Sequence, residues 1–275
     1  MKLKIILLFL LIGTFGFAQK KEKIKGNKLV KVQQHKIAPF SSLHLNEKFE
    51  VSLLKGEVPL IEIETDENLH DVITYAVDHK GVLNLGTTHQ ITSKKRLNIR
   101  ITVTEDFNTL ITTDKAEVSS LIDLDLKELL ITAKGNSKVY LTLKTDNFNL
   151  TADKNAKIEL NLNSKNCVLT LSESADMKAL INANELKADL YQKANAKIEG
   201  DLKQLKLRVD NASNFDGKKL TTNSADVIAE GSSDCDLEVK GTLTLEMSGS
   251  SKIAVYNTPK ISLNKFEDSA TLYKK

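Results

Sequence analysis

From about residue 108 onward, apolar residues occupy every second position in short runs, and the runs themselves recur. The most regular feature is a small residue two places before an anchor that is usually apolar. The small residues are Ala116, Ser137, Ala156, Ala175, Ala196, Ser213, Ser233, Ser251 and Ser269. The anchors are Val118, Val139, Ile158, Met177, Ile198, Phe215, Cys235, Ile253 and Thr271, spaced on average about 19 residues apart. Apolar residues continue with period two after the anchor, as at Leu141 and Leu143 or Leu160 and Leu162. They also lie six, eight and ten residues before it, as at Ala133, Ile131 and Leu129. Period two is the signature of β-strands. Each repeat therefore predicts two short strands joined by a bend, and Gly135-Asn136, Asn211, Gly231-Ser232 and Gly249-Ser250 have bend chemistry.

A unit this short cannot bury its apolar face alone, so successive units must stack. The reading is an all-β fold, a parallel β-helix or solenoid with coils of about 19 residues. Equivalent strands then lie about 4.8 Å apart, with equivalent side chains in ladders. A column of Ala and Ser marks where the chain bends inward and leaves little room. An antiparallel meander also uses short alternating strands, but it has no need for a small residue at the same phase of nine consecutive units.

The N-terminal third carries strand patterns at less regular spacing: Leu43 and Leu45, Phe49-Val51-Leu53, Ile61 and Ile63, Val72 to Val77, Leu83 and Leu85, and Leu97-Ile99-Ile101-Val103. Pro39 and Pro59 stand just before or at the start of such runs, where proline is tolerated. Residues 19–107 are read as irregular opening coils or a cap, and 108–275 as regular repeats of the same single domain; a separate small β domain is the alternative.

Residues 1–18 belong to a different grammar. Lys2 and Lys4 precede an apolar run from Ile5 to Phe17, and Gly16 and Ala18 occupy the −3 and −1 positions of a cleavage site between Ala18 and Gln19. The run is 13 residues, short of the roughly 18–20 needed to span a bilayer. A cleaved secretory signal is the reading, with no transmembrane segment in the mature chain and export to the periplasm, cell surface or medium.

Cleavage changes the charge. The formal net charge of +3 comes from 39 Lys and Arg against 36 Asp and Glu; removal of Lys2 and Lys4 leaves +1. A chain so nearly neutral, with only Arg96, Arg100 and Arg208 among its basic residues other than Lys, gives no reason to expect nucleic acid. Lys20, Lys21, Lys23, Lys25 and Lys28 cluster at the mature N-terminus and read as a solvated leader. Two Cys cannot staple 275 residues. Cys167 and Cys235 fall at different phases and about three coils apart, beyond the reach of a disulfide, and are expected as buried free thiols.

Motifs for phosphate loops, zinc-protease helices and paired-Cys metal sites do not occur. His35, His44, His70, His79 and His89 all precede residue 90 without ligand-like spacing. No catalytic residue, cofactor or metal is assigned. The low aromatic content, 5% with no Trp, argues against a sugar-cleaving cleft, whose aromatic platforms and paired carboxylates would be expected. Tyr140 and Tyr256 have outward parity and are the candidate surface contacts.

At this point the residues resemble a family. Ser248-Gly249-Ser250-Ser251-Lys252-Ile253, followed by Tyr256 and Pro259, is similar to the repeated motif of the putative auto-transporter adhesin head GIN domain, found in Bacteroidota. Gly26-Asn27, Phe40-Ser41-Ser42-Leu43, Phe49-Glu50-Val51, Asp66-Glu67-Asn68-Leu69 and Gly81-Val82-Leu83 also fit, and Asn257-Thr258 departs from the pattern. The resemblance implies a β-helical envelope or surface protein without assigned activity, in the manner of an adhesin. Its partner would be a protein or glycan of the cell surface. A polysaccharide lyase or hydrolase is the alternative class, and the oligomeric state is open.

Overall fold

The computed structural model describes residues 21–275. Apart from a short 3-10 helix at Glu67–Val72, its regular elements are β-strands. They stack as a parallel β-solenoid of about nine turns with coils of about 19 residues. In the regular part each coil is one long bent strand: Lys138–Ala152, Lys157–Leu171, Asp176–Leu190, Asn195–Val209, Asn214–Ala229 and Asp234–Met247 pair in parallel, each with the next. Inward residues alternate on both sides of the bend, so the two sides face each other across one continuous apolar core.

Two core columns show how far the stacking extends. One runs Ile99, Val51, Val118, Val139, Ile158, Met177, Ala196, Phe215, Cys235, Ile253, Leu272. The other runs Leu83, Leu43, Leu110, Ile131, Leu150, Leu169, Ala188, Leu207, Val227, Leu245 and ends at Leu263, which is exposed on the last coil. At the N-terminal end both columns leave chain order: strands Val82–Thr87 and Leu97–Val103 stack outside Ser42–Leu45 and Glu50–Lys55. Antiparallel strands Leu60–Asp66, Val30–Lys36 and Ile73–Val77 then extend that end. The irregular spacing of the N-terminal third thus reflects a chain that goes out and returns. The strand read from Val72 starts at Ile73, because Val72 ends the 3-10 helix.

The register corrects two members of the small-residue column. Ala196 pairs with Met177 and Phe215 and is itself the core anchor of its coil, so the column passes through Ala194. In the last coil Leu272 pairs with Ile253, which puts Ala270 rather than Ser269 in the column and turns Thr271 outward. The first slip is by two residues, which preserves parity and so leaves no trace in a period-two pattern; the second is by one, hidden by the small side chains of Ser269 and Ala270. Ile198 stays buried, two residues further along.

The corrected column explains the bend. Nearly every member donates its N–H to the carbonyl three residues earlier, as Ala116 to Thr113, Ala156 to Asp153, Ala175 to Ser172 and Ala194 to Tyr191. The second residue of each turn is left-handed in every coil: Asp114, Gly135, Lys154, Glu173, Gln192, Asn211, Gly231, Gly249 and Asp268. Successive turns are also hydrogen-bonded to each other, for example Ser174 N–H to Lys154 and Lys193 N–H to Glu173. A Cβ at Gly249 would meet the Gly231 backbone oxygen at 2.6 Å, so the turns there are packed backbone on backbone.

Within this column the hydroxyls of Ser213, Ser233 and Ser251 are buried without a hydrogen-bond partner. Ala fills the equivalent place in five other coils. Replacing any one of the three by Ala removes an unsatisfied polar atom, so urea denaturation is expected to show stability unchanged within about 0.5 kcal/mol or raised; a loss of more than about 1 kcal/mol would mean that the hydroxyl has a partner in solution.

Candidate functional site

The outward face of the anchor-side strands carries the candidate contacts. Strand pairing sets Tyr140 beside Glu159, then Lys178, then Lys197, one per coil. The neighbouring outward column reads Thr142, Asn161, Leu180, Glu199. Together with Ser120 from the preceding coil, these residues line an open, shallow groove of about 600 Å³. Its floor is Leu141, Leu160 and Ala179, the edges of core side chains, and Leu180 projects into it 43% exposed. Tyr140 is half-buried at one end. A phenol, an exposed aliphatic side chain, amides and charges of both signs thus share one surface across four coils. That chemistry suits stacking on, and hydrogen bonding to, an extended ligand.

Tyr256 stands on the same side of the rod but six coils away, next to Glu238 in register. Six coils correspond to roughly 29 Å. The two tyrosines lie outside each other's reach and could both touch only a partner of that length.

Some of the charge on the rod is paired between neighbouring coils. Lys138 meets Glu117 at 3.0 Å, Lys206 meets Glu185 at 2.7 Å and Lys218 meets Asp236 at 3.1 Å. In each case the hydrogen bond to the carboxylate holds the ammonium above the ordinary lysine range. Near the N-terminal end the Arg96 guanidinium holds Glu64 below the usual carboxylate range. These pairs are exposed and add little stability each.

A second cluster collects residues that the family resemblance singled out. The Asp66 carboxylate is fully buried and accepts the backbone N–H groups of Lys28 and Lys95 at 3.0 Å and Arg96 at 3.4 Å. A Cβ at Gly26 would lie 1.9 Å from Asp66 Oδ2, so only glycine fits there. Asn27 donates its N–H to Asn68 Oδ1 at 2.8 Å, and Asn68 Nδ2 donates to the Lys25 carbonyl at 2.9 Å. Gly26, Asn27, Asp66 and Asn68 therefore form one clasp that fixes residues 25–28 against the cap. Its groups are satisfied internally, and its role is structural.

Cys167 and Cys235 are both free and buried, in different columns. Burial pushes both thiols up, away from the reactive thiolate. Neither cysteine of the native protein is expected to react with a thiol reagent within minutes, and both should react after unfolding; rapid labelling of the native chain would contradict the packing. Among the described residues no group of three or more His, Cys, Asp or Glu comes together as a metal site. His35 packs on Tyr75 with ring centroids 5.6 Å apart, and His70 bonds the Lys31 carbonyl. Ala18 and Gln19, the cleavage pair read from the sequence, lie outside the described residues. No helix among the described residues is long and apolar enough to cross a membrane.

Fold and surface define the class: a parallel β-solenoid with a closed core whose chemistry is displayed on outward columns. The chain belongs to the family described as putative auto-transporter adhesin, head GIN domain, which matches residues 39–161 and 155–259. Solved structures share the fold at low identity. A putative adhesin from Parabacteroides distasonis has a TM-score of 0.68 at 14% identity, over 92% of this chain and 100% of its own. A putative adhesin from Parabacteroides merdae has a TM-score of 0.67 at 15% identity, over 92% and 99%. A structure described as a putative lipid binding protein, also from Parabacteroides distasonis, has a TM-score of 0.66 at 14% identity, over 92% and 100%. A search among curated proteins found no match.

Proposed function

We propose that the protein is an exported, non-catalytic interaction module of the cell envelope or surface, and that it holds its partner on the outward face around Tyr140. The observation that carries this reading is the groove, where Tyr140, Glu159, Lys178 and Leu180 present mixed chemistry over successive coils. Rigid stacked coils keep such a surface in fixed register, which suits contact with an extended polymer or a second protein. The signal-like segment Met1–Ala18 and membership of an adhesin-named family support export and a surface role. The partner is a glycan or protein of the envelope.

Protease shaving of intact cells tests the location. The expected result is digestion of the protein from the outside while a cytoplasmic marker stays intact. Full protection, with digestion only after the outer layer is opened, would overturn surface display.

A further inference from the structure

We propose that the corner of the solenoid opposite the tight turns is a binding edge for an anionic, carboxylated polysaccharide. The corner lies where each long strand bends, at Thr145, Ser164 and Ala183. Lys127 lies next to Asp146, and Lys165 follows in the next coil, where it pairs with Asp146 at 2.9 Å. Asn184, Lys203 and Asn223 continue the column, and Lys240-Gly241 oppose Asn223 at a bulge. Lysines therefore recur on alternate coils, roughly 10 Å apart. Lys144 adds another in the adjacent column, and all of these lysines are exposed.

Most of the lysines on this edge are free of ion pairs: among the described residues Lys127, Lys144, Lys203 and Lys240 have no carboxylate within 4.0 Å, while Lys165 pairs with Asp146, and Asp201 also lines the edge. A groove of about 580 Å³ runs along the edge. Between the lysines stand Asn163, Asn182, Asn184 and Asn223, whose amides donate and accept as sugar hydroxyls require. The backbone beneath is pinned: the Thr145 hydroxyl donates to the Lys127 and Asn147 carbonyls and the Ser164 hydroxyl to those of Asp146 and Asn166. Asn182 bridges coils by donating to Asn163 Oδ1 at 3.2 Å and accepting the Asp201 N–H.

Fixed lysines with interleaved amides match a polymer that carries carboxylates and hydroxyls at regular intervals. Phosphate recognition in nucleic acid favours the guanidinium fork, and this edge has no Arg. The inference rests on these lysines and amides and not on Tyr140, whose groove adjoins the edge on the same strands.

The test uses the secreted chain and polygalacturonate as probe, at about 50 mM salt, with the triple variant Lys144→Gln, Lys203→Gln, Lys240→Gln. A charge-matched control carries Lys154→Gln, Lys193→Gln, Lys252→Gln, away from the corner. The wild type should bind, the corner variant at least about tenfold more weakly, and the control within about twofold of wild type. Binding should fall steeply by about 200 mM salt, and neutral dextran should not bind. Failure of the wild type to bind, equal weakening of both triple variants, or equally tight binding of single-stranded DNA would each overturn the proposal. Circular dichroism melts of both variants confirm that the fold is kept.

Discussion

Asp66→Ala should cost about 3–5 kcal/mol of stability in the N-terminal cap, because three part-buried backbone N–H groups lose their acceptor at about 1–3 kcal/mol each. The carboxylate is fully buried and holds Lys28, Lys95 and Arg96 from two separate segments. In a stacked array each unit rests mainly on its neighbours. The damage should therefore be local: faster hydrogen exchange and proteolysis at residues 25–36 and 93–103, with the coils beyond Lys138 still protected. Asp66→Asn keeps one acceptor oxygen and should lose roughly half as much. A loss below about 1 kcal/mol for Asp66→Ala would show that water replaces the carboxylate.

Phe215→Ala should cost about 3–5 kcal/mol by opening a cavity in the middle of the array. Phe215 is fully buried, and its place is prepared on three sides. Ala196 and Cys235 lie above and below it in register, and Gly217 leaves space that a Cβ would take at 2.6 Å from the ring. The cavity adjoins the Cys235 thiol. Chemical denaturation should report the loss, and Cys235 should gain reactivity toward a thiol reagent while Cys167 stays protected. Unchanged protection of Cys235 would mean the site collapses around the missing ring.

The regular coils are legible in the sequence because a stacked array repeats one environment many times. A single ambiguous position is then corrected by its neighbours in phase. Ala194 and Ala196 escaped this because both are small and two residues apart, so parity could not separate them. That Ala196 rather than Ile198 shares the anchor column with Phe215 shows only once strands are paired. The left-handed turns at Lys154, Glu173 and Gln192 were not legible at all. Those residue types do not favour that conformation, and it is imposed by stacking against the turns on either side. The order of strands in the cap was equally hidden, since Leu97–Val103 stacks outside Glu50–Lys55 by long-range pairing. The clasp residues Gly26, Asn27, Asp66 and Asn68 were visible as motif fragments, but their joint role appears only when 40 residues of separation close to hydrogen-bond distance. The groove had a partial signal in the outward parity of Tyr140; Leu180 and the flanking charges gave none, because an exposed Leu or Lys on a strand is unremarkable.

The central claim is that the Tyr140 face binds without cleaving. It is tested most directly by titrating purified protein onto isolated cell envelopes and following bound protein and released soluble sugar together. The account predicts saturable binding that falls at least about tenfold, roughly 1.4 kcal/mol, in Tyr140→Ala combined with Leu180→Asp, with no sugar released. Release of oligosaccharide that depends on Tyr140, or binding indifferent to both substitutions, would contradict it.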